Sequence, residues 1–176
     1  MKDILRDYRN YLKIERAMSL NTVTSYCSDV RKFLEYLDKR PEDAGTEDLN
    51  RYLSECESLD KRSQARLISS IRSFYGWLVQ EGLVKDNPCD LVDSPKLGLY
   101  LPSVLSLEEV EAIIDSVDLS GWQGFRDKAI LETLYGCGLR VSEVIALTVS
   151  SLYLEDGFVR VVGKGDKERL VPVGDV

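Results

Sequence analysis

The stretch from Asp86 to Pro102 constrains this chain more than any other, because the apolar periodicity stops there. Asp86-Asn87-Pro88, Ser94-Pro95 and Gly98 set three turn signals inside it. Apolar residues recur at helical spacing on both sides, so a chain of 176 residues broken at this point is expected to build two small domains. The expected bounds are residues 1–93 for the first domain, 94–102 for a linker and 103–176 for the second.

The first domain reads as four helices. Ile4, Leu5, Tyr8, Tyr11 and Leu12 mark one over residues 4–14. Ser19-Leu20-Asn21-Thr22 offers capping side chains to a second, whose face is Val23, Tyr26, Val30, Phe33, Leu34 and Leu37 and which ends before Pro41. Thr46 is placed to cap a third, carrying Leu49, Tyr52 and Leu53. The fourth, from about Ser63 to Gln80, has Leu67, Ile68, Ile71, Phe74, Tyr75 and Leu78 as its apolar stripe. Its opposite face holds Arg62, Arg66, Ser69, Ser70, Ser73 and Gly76, with Arg72 on the border. Small residues admit another backbone and arginine forks grip phosphate, so this face is a candidate nucleic-acid surface. The spacing alone fits a solvated face with incidental arginines as well.

In the second domain Ser106-Leu107-Glu108-Glu109 is a capping box, and Leu107, Val110, Ile113, Ile114 and Val117 are expected to form a buried helix face. Residues 126–135 give a further helix with Ala129, Ile130, Thr133 and Leu134 facing inward, broken at Gly136 and Gly138. A short helix is expected from Ser142 to Leu147. The period then changes to that of strands. Leu152-Tyr153-Leu154, Phe158 to Val162 and Arg169 to Val173 predict three antiparallel strands, with a tight turn at Asp156-Gly157 and a charged loop over Gly163 to Glu168. Pro172 implies that the last strand lies at an edge or pairs poorly there.

Composition closes off several chemistries. There is no histidine, and Cys27, Cys56, Cys89 and Cys137 are far apart, so neither a zinc site nor a histidine-activated nucleophile is expected. No cofactor and no metal is expected. No run of eighteen apolar residues is present and the N-terminus lacks a signal-peptide pattern, which predicts a cytoplasmic protein. The net charge is −7, yet it is uneven: residues 1–100 hold 16 Lys and Arg against 17 Asp and Glu, residues 101–176 only 7 against 13. Nucleic-acid binding depends on where cations cluster and not on their total, so the acidity weighs against tight nonspecific binding without excluding DNA.

Two cations beside glycines then stand out. Arg140 follows Gly138 and opens a helix, and Lys164 sits in Gly163-Lys164-Gly165-Asp166-Lys167-Glu168-Arg169. Taken alone, Arg140 is also a good surface arginine paired with Glu143, and Gly-Lys-Gly-Asp is also a good solvated turn.

With Gly138-Leu139-Arg140-Val141-Ser142-Glu143 in view, the chain resembles the tyrosine recombinases of the phage-integrase class, nearest to the Xer type. The resemblance runs through Ser19-Leu20-Asn21-Thr22, Ser63-Gln64-Ala65-Arg66-Leu67, Ser94-Pro95-Lys96, Arg126-Asp127-Lys128-Ala129 and the Gly163 to Pro172 stretch. It implies a mainly α protein: an N-terminal four-helix, SAM-like core-binding domain, then the first, α+β part of a catalytic domain with a small three-stranded antiparallel sheet. It implies site-specific recombination or integration of DNA through a 3′-phosphotyrosyl link, with no cofactor, and a tetramer on double-stranded DNA in the full-length family.

By the same resemblance Arg140 is the first catalytic arginine, Lys164 the hairpin lysine acting as general acid, and Glu143 a supporting residue. An arginine fork meets two non-bridging oxygens and stays charged at any working pH, and amides at the nearby helix start add to such a site. Asn21, Thr22, Tyr26, Arg62, Arg66, Ser69, Arg72, Lys96, Lys167 and Arg169 are the expected DNA contacts. The family's His-x-x-Arg motif and tyrosine nucleophile have no counterpart here, so the 176-residue polypeptide is expected to bind DNA without cleaving it and to be monomeric, covering roughly the first 60% of a recombinase. A naturally short protein that occupies or blocks recombination sites is the alternative, and a helical scaffold with no DNA role is the third.

Overall fold

A computed structural model of the chain describes residues 2–96, 98, 103–163 and 165–174, with the side chains of residues 2 and 3 left aside. It separates into two compact units, Met1–Tyr100 and Leu101–Val176. Pro102, the expected end of the linker, lies outside the described residues, as does Lys164.

The first unit is a helical bundle of α1 (Lys2–Asn10), α2 (Leu20–Tyr36), α3 (Thr46–Glu55) and α4 (Lys61–Gln80). A π-helical turn, Tyr11–Glu15, extends α1. Ser19 caps α2, its Oγ accepting from the Thr22 amide at 3.3 Å. Asp60 caps α4 by accepting from the amides of Arg62 and Ser63, so this helix begins two residues earlier than its apolar stripe alone suggests. The cap of α3 differs from expectation. Thr46 lies inside the helix and its hydroxyl donates to the Pro88 carbonyl at 3.1 Å. Gly45 is the cap residue, and Asp48 reaches back to accept from its amide at 3.0 Å.

The core of this unit is aromatic. Phe74 meets Tyr8 edge-on at 5.2 Å between centroids and Trp77 at 5.9 Å. Phe33 packs on Tyr52 and Tyr75, joining α2, α3 and α4 around the fully buried Ile71 and Leu78. Such pairs add about 0.5–1.5 kcal/mol each beyond the area they bury. Burial pushes the Tyr8, Tyr52 and Tyr75 hydroxyls above their ordinary range, and Tyr75 donates to the Pro41 carbonyl at 3.1 Å.

The second unit contains α5 (Leu107–Asp115), α6 (Trp122–Gly136) and α7 (Val141–Ile145), followed by β1 (Leu152–Tyr153), β2 (Phe158–Val162) and β3 (Glu168–Pro172). The sheet order is β1-β2-β3, antiparallel throughout, with Phe158 opposite Pro172 and Val162 opposite Glu168. Pro172 therefore stands on an edge strand, where its missing N–H removes nothing from an inner ladder. Ser106 and Glu109 form the expected capping box, closing on each other's amides at 3.3 and 2.8 Å.

Two readings of this unit are corrected. No residue of α5 is buried, and Leu107 and Ile113 are exposed. On α6 Ala129 and Ile130 are exposed and Thr133 and Leu134 only half-buried. Val110, Ile114 and Val117 are half-buried as well, so among the described residues these faces are covered only in part. The buried centre is instead Leu139, Val159 and Val161, with Val144, Leu147 and Val171 packed against it. The turn ahead of β2 uses Gly157 at φ +71°, a conformation that suits glycine. Among the described residues no helix is long and apolar enough to cross a membrane.

Candidate functional site

One buried carboxylate gathers two arginines of the second unit. Glu143 is the third residue of α7, and its side chain is 4% exposed. Oε2 accepts from the Arg140 amide at 2.8 Å, which closes the start of the helix, and Oε1 accepts from Arg140 Nη1 at 3.0 Å. From β3, Arg169 donates through both terminal nitrogens, Nη1 to Oε1 at 2.8 Å and Nη2 to Oε2 at 2.9 Å. This two-pronged geometry is the strong form of a charge-assisted bond. The Arg169 hydrogen bonds, then that of the Arg140 amide, hold the Glu143 carboxyl down at about 2. Glu143 in turn raises Arg169 above its ordinary range.

Two guanidinium groups thus share one carboxylate, and the cluster keeps a net positive charge. Arg169 is held on both prongs. Arg140 is held by one nitrogen, and its side chain is 71% exposed. Glycine lets the lysine loop approach this cluster. The Gly163 amide donates to the Lys167 carbonyl at 2.8 Å, closing the base of the hairpin. A methyl group placed on Gly163 would lie 3.2 Å from Arg169 Nη1 and 3.4 Å from Glu143 Oε1. Gly165 and Asp166 follow at φ +77° and +59°, turning the chain back into β3. The sequence separation between the glycine bend and the lysine loop therefore vanishes in space. Lys164 is outside the described residues, but its neighbour Gly163 abuts Glu143. Lys167 is exposed.

In the first unit the expected contact residues divide between surface and structure. Asn21, Arg62 and Ser69 are exposed, and Thr22 and Tyr26 are half-buried. Ser69 donates to its own helix at Ala65. Arg66 is ion-paired with Asp29 of α2, a buried carboxylate that also accepts from Ser70 Oγ at 2.8 Å. Ser70 is accordingly fully buried and does not belong to the open face on which the spacing placed it. Asp29 continues the i, i+4, i+7 row of Thr22 and Tyr26, so the pair sets Arg66 beside that row. Arg72 donates to the carbonyls of Cys89 at 3.2 Å and Val92 at 2.9 Å, fastening the segment after α4. Lys96 is exposed near the end of the unit.

Asp29 escaped the sequence reading. Its signal was a lone acid beside Val30 on an apolar stripe, which needs a partner when the stripe is buried. The partnership of Arg169 with Glu143 carried no local signal at all, since it crosses from β3 to α7.

Comparison with known proteins agrees with this architecture. Residues 5–82 match the model of the phage integrase N-terminal SAM-like domain, and residues 103–176 that of the phage integrase family. Tyrosine recombinase XerD of Chlorobaculum tepidum is 44% identical over 178 residues, covering 97% of this chain and 59% of its own length. Its namesake in Listeria monocytogenes is 38% identical, with 99% and 61% covered. The chain spans about 60% of the length of the curated relatives it matches. Among solved structures, a lambda integrase dimer bound to a COC′ core site aligns with a TM-score of 0.78 at 19% identity, over 98% of this chain and 62% of that one. A lambda integrase tetramer bound to a Holliday junction aligns at 0.79 and 19% identity, over 99% and 51%. These likenesses show the fold.

Proposed function

Because the chain belongs to the phage integrase family of tyrosine recombinases, we propose that it serves site-specific recombination of double-stranded DNA. The observation that carries this reading is the cluster of Arg140, Glu143 and Arg169. Cleavage of a phosphodiester adds negative charge to the non-bridging oxygens, and a fixed guanidinium stabilises it without a change of protonation. Arg140 is charged, exposed and held by one edge, so the rest of its fork faces an incoming phosphate. Glu143 aims it, and Arg169 holds Glu143. On this reading Arg169 is a positioning residue more than a phosphate contact.

Lys164, carried by a loop whose base touches the same carboxylate, is the general acid that protonates the departing 5′-oxygen. Asn21, Thr22, Tyr26, Arg62, Arg66 and Ser69 grip the duplex from the first unit, while Arg72 acts mainly by fixing the segment after α4. Lys96 and Lys167 add backbone contacts.

No described tyrosine is proposed as the nucleophile: Tyr26 and Tyr36 are half-buried and Tyr135, 55% exposed, lies at the end of α6. Tyr8, Tyr11, Tyr52 and Tyr75 are buried, and Tyr153 stacks on Phe158 with centroids 4.8 Å apart. Residues 1–176 by themselves are proposed to hold DNA as a monomer and leave it uncut.

Titration into a labelled duplex at stepped salt tests the reading. Log K should fall linearly with log salt with a slope of about −0.9 per phosphate held, and Arg140→Ala should reduce that slope by about one. Failure to bind duplex at low salt sinks the proposal. Recovery of a covalent adduct on a nicked suicide duplex overturns the part concerning cleavage.

A further inference from the structure

A groove between α1 and α2 is lined by three arginines. It has a volume of about 550 Å³, with Arg6 and Arg9 on one wall, Thr24, Ser28 and Arg31 on the other and Cys27 at its base. Among the described residues no carboxylate lines it. Arg6 donates to Asp7 at its rim. Arg9 and Arg31 make no ion pair or hydrogen bond among the described residues. Burial pushes the Cys27 thiol up, while Arg9 and Arg31 pull it back, so both positive charges are felt at the groove floor.

The chain contains 30 acidic residues against 23 Lys and Arg. Carboxylates are abundant, and other arginines of this unit use them: Arg40 takes Asp43 and Arg66 takes Asp29. Two arginines drawn from different helices into one groove with no carboxylate among its described lining residues repel each other unless an anion sits between them. Planar guanidinium forks flanked by two hydroxyls suit a phosphate ester, whose several oxygens accept from all of them. A carboxylate has two oxygens and would leave part of this donor set unmatched.

The groove is distinct from the DNA-gripping row proposed above. Thr24, Ser28 and Arg31 recur at i, i+4 and i+7 on the flank of α2 that faces α1. Thr22, Tyr26 and Asp29 lie across the buried stripe, on the flank facing α4. We propose that the groove between α1 and α2 is a second phosphate site, holding the sugar-phosphate backbone of a DNA segment through Arg9 and Arg31, with Thr24 and Ser28 as hydroxyl donors. The inference rests on the reading of this chain as a DNA-binding protein.

Amide chemical shifts of the isotopically labelled chain, followed as a mixed-sequence duplex is added, locate the contacts. The amides of Thr24, Cys27, Ser28 and Arg31 should move saturably together with those of α4. The double variant Arg9→Gln, Arg31→Gln should lose the groove shifts, keep its circular dichroism and lower the slope of log K against log salt by about two. Inorganic phosphate alone should shift the same groove amides weakly. If the duplex moves α4 and leaves the groove silent, the second site is refuted and the DNA reading survives. If nothing moves with duplex, both fail. If a glutamate-rich peptide shifts the groove and duplex does not, the site takes an acidic protein segment and the proposal is overturned.

Discussion

Asp29 ties α2 to α4, and cutting the tie from its two ends should cost different amounts. Asp29 is 5% exposed. In Arg66→Ala its carboxylate stays buried with the Ser70 hydroxyl as its remaining donor. Stranding a buried charge costs about 3–5 kcal/mol when both partners are buried. The Arg66 side chain is 47% exposed, so water already screens the pair, and a loss of about 2–3 kcal/mol is expected. In Asp29→Ala nothing is stranded. Arg66 turns into solvent, and Ser70 Oγ keeps its bond to the Arg66 carbonyl at 3.0 Å. The expected loss is then about 1–2 kcal/mol, the value of charge-assisted hydrogen bonds exchanged for water. Urea unfolding followed by far-ultraviolet dichroism, on both single variants and the double, measures the difference. The double variant should lose less than the sum of the singles, with a coupling of about 1 kcal/mol. The reasoning is refuted if Asp29→Ala is as damaging as Arg66→Ala, or if the two losses simply add. The same pair separates packing from recognition. A fall in DNA affinity shared by both variants reports helix packing, whereas one confined to Arg66→Ala reports a phosphate contact.

Three further outcomes are expected. The Glu143 carboxyl is held at about 2, below its unfolded value of about 4.3. Its stabilisation is thus complete above the unfolded value and lost as pH falls through about 2. Arg169 side-chain resonances should stay ordered well below pH 4.3 or so, and Glu143→Gln should abolish the dependence; a midpoint at the unfolded value contradicts the cluster. A methyl group added at Gly124 would fall 1.8 Å from the Asp118 carbonyl oxygen. Because that neighbour is backbone, Gly124→Ala should destabilise the second unit by at least about 1–3 kcal/mol, seen as a lower melting temperature with a shift in Trp122 emission. Among the thiols, half-buried Cys56 and Cys137 should react with a disulfide reagent ahead of buried Cys27 and Cys89, the last of which burial pushes up to about 12. Equal rates for all four would contradict this.

The first unit was legible because its stripes are mutually covering. The apolar faces of α2 and α4 meet each other, so periodicity named the core directly, down to Phe33, Ile71 and Phe74. The same inference applied to α5 and α6 gave the right helices and the wrong burial. Periodicity measures whether a helix has an apolar face; what lies on that face is a tertiary fact. Trp122, Phe125, Val141 and Ile145 all remain exposed among the described residues.

The candidate site divides in the same way. Arg140 and Glu143 are three residues apart at a helix start, a spacing from which their pairing follows by geometry alone. Arg169 enters only because Val161 lies opposite it in the β2–β3 ladder. That register sets the lysine loop's length and brings Gly163 against the carboxylate. The sheet is small, yet its register decides the chemistry: a slip of one residue would turn Arg169 to the other face and leave Glu143 with Arg140 alone. Inserting a single residue within Gly163 to Glu168 should therefore damage phosphate binding at Arg140 more than Lys167→Ala does, because it disturbs the hold of Arg169 on Glu143 as well as the loop that carries Lys164 and Lys167. Salt-dependent duplex titration of the two variants compares them, and equal losses would show that Arg140 needs no support from β3.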